Sequence, residues 1–451
     1  MSLDLPEVGA ADRSQPVTPA ELLAYFHRGS KPHADWRVGA EFEKFAVERT
    51  TGRALSYAEP GGIRDILQSL ADRFDWEPHH RGDRLISLTR RGATVSLEPG
   101  GQVEFSSPPV KHVADLAAEL NRHRDEIRAV VDPERVVWIA AGVTPFALVE
   151  EIPPPIRRRH AVMADYLPER GPKAQHMMKA TASTQAAFDY SDEEDAVRKF
   201  TVALTLGPIV NAVWGNSPLY GGEQTGWASF RGRVWLGMDP DRCGMLPELL
   251  ADGLSFDRWV NYLLDVPLLF TMRDGCYHPA GGRTFRDFQT HGIDGRFPTL
   301  ADWEVHLTTV FPEVRLKQFL EVRGADANPP PLAVAVPAFW KGLLYDRDAL
   351  TAAEGVAKHF PPSELPALFE SAAHHGLAAE CGGHTLAAWA GELANIAAVG
   401  LRRQAERGGY PDEQPFLDPV FAVLKSGRSP GMVLGTSDAR TPAAVLRVLE
   451  Y

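Results

Sequence analysis

Three short segments of this 451-residue chain carry carboxylates at the spacing of a strand face. The first is Glu41-Phe42-Glu43. Residues two apart on a strand share a face, so both carboxylates point one way and Phe42 the other. The second runs from Ser96 through Glu98, Pro99-Gly100-Gly101, Gln102 and Glu104 to Phe105. If Pro99-Gly100-Gly101 closes a three-residue hairpin loop, Glu98 faces Gln102 and Ser96 faces Glu104, with Leu97, Val103 and Phe105 on the reverse side. Glu98 and Glu104 are then diagonal neighbours, about 7–8 Å apart at the backbone, near enough for a cation to meet both. The third is Leu320-Glu321-Val322-Arg323, with Glu321 and Arg323 on one face. Glutamates gathered on a sheet repel one another and titrate upwards unless a cation neutralises them. Hard oxygen donors suit Mg²⁺, and Mn²⁺ equally by donor type. The competing reading is a solvated face with each glutamate beside a Lys or Arg. Three segments together, with Gly100-Gly101 and Arg323 alongside, favour a cage for divalent cations.

These groups need strands to hold them. Period-two patterning predicts strands over 37–48, 84–89 and 93–98, and a fourth segment returning after Gly101. Further strands are expected at 136–143, within 313–323, and over the Thr/Ser/Ala-rich stretch 176–189. Helical patterning marks 61–75, 110–131, 255–270 and 299–309. Thr18 before Pro19 signals a helix start and Gly29 its stop. Beyond about residue 338 the chain is mostly helical. Strands and helices do not alternate regularly, so the expected class is α+β with a largely antiparallel sheet. Residues 1–17 are polar and expected to be flexible, and 18–451 to form one catalytic domain. Loops 215–228 and 275–283 are candidate lids or plain surface loops.

Composition narrows the partners. Lys plus Arg is 47 and Asp plus Glu 59, a formal charge of −12. That argues against nucleic acid and against attraction to anionic lipid. The uncharged stretch 202–222 contains Gly207, Pro208 and Asn211, and reads as a buried core helix ending near Trp214 rather than a membrane span. Three distant cysteines, Cys243, Cys276 and Cys381, show no zinc spacing and read as small buried hydrophobes in a reducing compartment. With no leader-like start, a cytoplasmic location is expected. No GxxxxGK[ST], HExxH or GxSxG occurs. Arg157-Arg158-Arg159 fits a solvated surface or a phosphate or carboxylate site.

Ordered blocks across residues 18–425 resemble the plant-type glutamate–cysteine ligases, also found in proteobacteria, and their actinobacterial relatives in ergothioneine synthesis. The blocks include VGAEFEKF (38–45), SLEPGGQVEFSSPP (96–109), GNSPL (215–219), SFRGRVW (229–235) and LTTVFPEVRLKQFLEVRGAD (307–326). The resemblance implies a glutamine-synthetase-like catalytic domain, a curved antiparallel sheet forming a funnel with helices outside. It also implies ATP as co-substrate and metal ions on carboxylates inside the funnel. By the same resemblance Glu41, Glu43, Glu98, Glu104 and Glu321 are Mg²⁺ ligands, and Gln185 lies near the metals. Arg159 and Arg231 would hold the carboxylates of glutamate, and Arg323 would meet the transferring phosphate or the reacting carboxylate. The implied reaction joins glutamate to cysteine through γ-glutamyl phosphate, with no covalent enzyme intermediate.

Ala180, Ala187 and His160 depart from the plant-type pattern near the expected amino-acid pockets. The runner-up is therefore a different amine acceptor in a specialised pathway; a third class, a non-catalytic binding or regulatory protein, is disfavoured by retention of the five glutamates and three arginines. Small-molecule substrates and a monomer or homodimer are expected.

Overall fold

From Val38 to Lys44 buried and half-buried residues alternate, the signature of a strand with one face on a core. The structure, a computed structural model, describes residues 15–273, 276–437 and 441–451. Within that first strand, β1 (Val38–Glu48), the apolar side chains Val38, Ala40 and Phe42 go inward with Lys44. Glu41 and Glu43 take the other side. The remaining strands used below are β2 (Glu77–Arg81), β3 (Arg84–Arg90), β4 (Ala93–Leu97), β5 (Val103–Ser106), β6 (Val136–Ile139), β7 (Ser183–Phe188), β8 (Phe270–Arg273), β9 (Cys276–Pro279), β10 (Val314–Leu316) and β11 (Leu320–Asp326).

The main sheet runs β10-β11-β7-β1-β5-β4-β3-β2, with β6 added on the far half of β1. All of its pairings are antiparallel, and its two ends remain edges rather than closing a barrel. The expected mixed class with a largely antiparallel sheet is borne out. β8 and β9 form a separate hairpin. The helix Pro330–Leu344 packs on β7 and β1, and the helix Leu386–Gly408 packs on it in turn. A Cβ at Gly342 would lie 2.4 Å from the Ala397 carbonyl oxygen, so these two helices touch backbone to backbone.

Register settles the hairpin read from Pro99-Gly100-Gly101. Ser96 lies opposite Glu104 and Leu97 opposite Val103, and the Glu98 amide donates to the Gln102 carbonyl at 2.9 Å. Gly101 sits at φ +90°, a conformation L side chains rarely adopt. Gly100 is required for a different reason. A Cβ there would lie 2.0 Å from the Lys179 carbonyl oxygen. Gly100→Ala is therefore expected to cost about 1–3 kcal/mol by forcing the loop off the helix behind it. Urea unfolding measures this, and a variant as stable as the parent would show that the loop has room.

Several elements differ from expectation. The stretch 176–189 begins as the helix Ala174–Ala180, and only Ser183–Phe188 is a strand. The apolar stretch after Glu193 forms two helices, Glu193–Thr205 and Gly207–Trp214, bent by 49°. The break falls before Pro208, which has no N–H to continue the first helix. Gly207–Trp214 is wholly buried, and among the described residues no single helix is long and apolar enough to cross a membrane. Cys243 and Cys381 are buried as expected, but Cys276 is exposed, because β9 pairs on one side only within its two-stranded hairpin. Most of the expected flexible start, and Gly275 of the expected 275–283 loop, lie outside the described residues. Val17 is tied down, its amide donating to the Pro298 carbonyl at 2.8 Å.

Candidate active site

β1 lies between β7 and β5, and this places the acidic groups. Glu43 stands opposite Glu104 on β5, and Glu41 opposite Gln185 on β7. Glu98 enters from the end of the β4–β5 hairpin. A cavity of about 120 Å³ opens over this face. Its walls bring together Glu41, Glu43, Glu98, Glu104, Gln185, Arg159, Arg231 and Arg323, eight of the nine residues read from sequence.

The ninth, Glu321, stands apart. It lies opposite Ala187 on β7 and Arg315 on β10, and does not line the cavity. Arg315 Nη2 meets its carboxylate at 2.6 Å and Lys317 Nζ at 2.8 Å, and Arg323 pairs with it as well. Burial opposes its ionisation, but the three cations together hold its carboxyl well below the usual range. Here Glu321 is an anchor for arginines. Arg315 and Lys317 escaped the sequence reading. The signal was present, since the V-R-L and L-E-V triplets around a short connection put Arg315 directly across from Glu321.

Glu43, Glu98 and Glu104 in the cavity behave in the opposite way. Burial pushes the Glu98 carboxyl up to about 7, with the Glu43 charge adding to it. Burial, and then Glu41, raise Glu104 well above the ordinary carboxylate range. Burial also raises Glu43, against the pull of Arg231 and of Ser183, whose amide and hydroxyl donate to Glu43 Oε2 at 2.5 and 3.0 Å. Glu104 accepts from the Ser96 and Ser106 hydroxyls at 3.3 and 2.9 Å. Oε1 of Glu98 is buried with no hydrogen-bond partner among the described residues. Massed acids held against ionisation, one with an idle buried oxygen, fit a hard divalent cation. Among the described residues no group of three His, Cys, Asp or Glu side chains is already set around one ion.

The arginines are held by backbone and by buried acid. Arg323 Nη1 donates to Gln185 Oε1 at 2.5 Å. Arg231 donates to the carbonyls of Arg323 and Gly324 at 3.0 and 3.3 Å and stands 3.7 Å from Asp326. Asp326, also missed from sequence, is fully buried and accepts from the Asn216 amide and the Ser217 and Ser229 hydroxyls at 2.8, 2.6 and 3.0 Å. Arg159 donates to the Thr308 hydroxyl at 2.8 Å. Of the three unusual positions, His160 lines the cavity, and burial with Arg157 and Arg159 nearby keeps its ring neutral. Ala180 does not line it; it packs in a small apolar cluster with Val143, Ala147 and Ile152.

Residues 37–437 match the glutamate-cysteine ligase family 2. The chain is 38% identical over 428 residues to a chloroplastic glutamate–cysteine ligase of Brassica juncea, covering 94% of this chain and 82% of the relative. The chain belongs to glutamate-cysteine ligase family 2. It is thus a ligase enzyme, and the non-catalytic alternative falls. The Arabidopsis thaliana chloroplastic glutamate–cysteine ligase is 37% identical, with 94% of this chain and 80% of that protein covered. In structure the family member resembles a glutamate–cysteine ligase from Francisella tularensis in complex with AMP, with a TM-score of 0.55 at 12% identity over 92% of this chain and 87% of that one. At that identity the likeness concerns the fold. The curated relatives correct one expectation: they are chloroplastic enzymes, which overturns the cytoplasmic reading. A low cysteine count marks a reducing environment without saying which compartment supplies it.

Proposed function

We propose that the protein joins the γ-carboxyl of glutamate to the amine of cysteine at the expense of ATP. The family supports the substrates, and the observation that carries the chemistry is the gathering of four glutamates and four arginines, Arg315 among them, around one cavity. Glu41, Glu43, Glu98 and Glu104 would hold Mg²⁺, two to three ions in all. Bound there, the metal would offset the charge of the phosphates and of the phosphoryl group in flight. Arg231 and Arg159 bind the carboxylates of glutamate through their planar forks. Arg323, fixed between Gln185 and Glu321, offsets the charge on the reacting carboxylate. A γ-carboxylate oxygen bonds to the terminal phosphorus and ADP leaves. The acceptor's free amine nitrogen then bonds to the acyl carbon, and phosphate departs with the C–O electron pair and takes up the proton that the nitrogen sheds. Met163, Met177, Met178 and Trp235 also line the cavity and give it an apolar wall that keeps water from the acyl phosphate.

The test incubates enzyme, ATP, Mg²⁺ and glutamate with a panel of amines and reads products by mass spectrometry. γ-Glutamylcysteine is expected at least about tenfold above any other adduct, since an acceptor pocket discriminates by roughly 1–3 kcal/mol per group. A preferred non-thiol acceptor would replace cysteine. Absence of ADP with every amine would remove the ligase reading of this site.

A further inference from the structure

Lys44 points away from the acidic cavity, into the core behind β1, and its side chain is fully buried. Its Nζ donates to two backbone carbonyls, that of Phe42 at 3.1 Å on its own strand and that of Val103 at 3.3 Å on β5. The ring of Tyr451 covers it at 5.3 Å. Among the described residues no carboxylate bonds to it. Burying an amine is unfavourable, and an apolar side chain of similar length would suit this core better.

The two carbonyls explain what the amine does there. Each belongs to the peptide group that leads into a cavity glutamate, Phe42 into Glu43 and Val103 into Glu104. Those two glutamates stand opposite one another across β1 and β5. A peptide group is planar, so holding its oxygen fixes the direction in which the next residue leaves the strand. The hydroxyls of Ser183, Ser96 and Ser106 hold the tips of the two side chains from the cavity side. Lys44 holds their roots from the reverse side.

We propose that Lys44 is a positioning residue for the cation site, bridging the two strands so as to set the separation of Glu43 and Glu104. The inference rests on the divalent-cation reading of the cavity given above, and it assigns Lys44 no contact with metal or substrate. Like charges directly opposite one another on neighbouring strands repel. A bridge behind them keeps the gap in the metal-free protein, and less rearrangement is left for the arriving cation to drive.

The test titrates Mn²⁺, without nucleotide, into the metal-free parent, Lys44→Met, Lys44→Gln and Val95→Ala, read by electron paramagnetic resonance. Val95 lies opposite Phe105 on the same buried side of the sheet and does not line the cavity. Lys44→Met is expected to weaken Mn²⁺ binding about tenfold or more, the scale of losing a group that orients a metal ligand. Its melting temperature should stay within about 3 °C of the parent's, because an apolar chain suits the core. Lys44→Gln keeps N–H donors on a shorter chain and should bind Mn²⁺ with an affinity between the two. Val95→Ala should melt lower than the parent yet bind Mn²⁺ within about twofold of it, since it leaves only a cavity in the core. Undiminished Mn²⁺ affinity in the folded Lys44 variants would overturn the proposal, as would an equal loss in Val95→Ala. A parent that binds Mn²⁺ but ligates nothing would refute the ligase reading and leave the Lys44 comparison valid. A parent that takes up no Mn²⁺ would overturn the cation site and this inference with it.

Discussion

Glu98→Gln should lower kcat/KM for ligation by about a hundredfold or more, with the fold intact. The change keeps size and shape and removes one charge from the cavity. Metal stabilisation of a transferring phosphoryl is worth several kcal/mol, and losing about 3 of them is roughly a hundredfold in rate. The effect on stability has the opposite sign. Burial and Glu43 already push the Glu98 carboxyl up to about 7, so its ionised form is a burden on the metal-free fold. The variant without Mg²⁺ should therefore melt at or above the parent's temperature, and the Mg²⁺-induced rise in melting temperature should shrink. Scanning calorimetry with and without Mg²⁺, beside a coupled ADP assay, reads both. Full activity, or an undiminished Mg²⁺ effect, would remove Glu98 from the cage.

Asp326→Ala is the companion experiment, and its damage falls on the fold. Asp326 is fully buried, accepts from one amide and two hydroxyls, and faces Arg231. Gly142 has no room for a side chain, because a Cβ would come within 2.3 Å of the Asp326 carboxylate. Deleting one member of a buried ionic group strands the others, at about 3–5 kcal/mol. Chemical denaturation should show that loss. KM for glutamate should rise as well, because Arg231 loses its anchor. A loss below about 1 kcal/mol would mean that water or a shifted side chain satisfies the donors.

How far the site was legible follows from the range of each interaction. The rows of glutamates could be read because alternation along a strand and a Pro-Gly-Gly loop are local rules, and they placed Ser96 opposite Glu104 correctly. Asp326 could not be read, since its partners Asn216, Ser217, Ser229 and Arg231 lie about a hundred residues away. The start of 176–189 was misread for a related reason. Its Ala, Gln, Met and Lys residues are good helix formers, and the helix is fixed by docking, with Lys179 Nζ donating to the Ile152 carbonyl at 2.7 Å. Glu321 shows the limit of pattern reasoning. Its spacing matches the cage, but neighbouring cations decide where its charge is spent.

The position of β1 has a kinetic consequence. Residues 38–42 bond to β7, 41–44 to β5 and 45–48 to β6, so the strand bearing Glu41 and Glu43 is enclosed along its length by segments beginning at residues 103, 136 and 183. None of those neighbours is local in the chain. The amides of β1 should therefore exchange with deuterium only when the whole sheet opens, among the slowest in the molecule. During folding the two carboxylates meet their partners only after long loops have closed, so activity should be regained late and all at once.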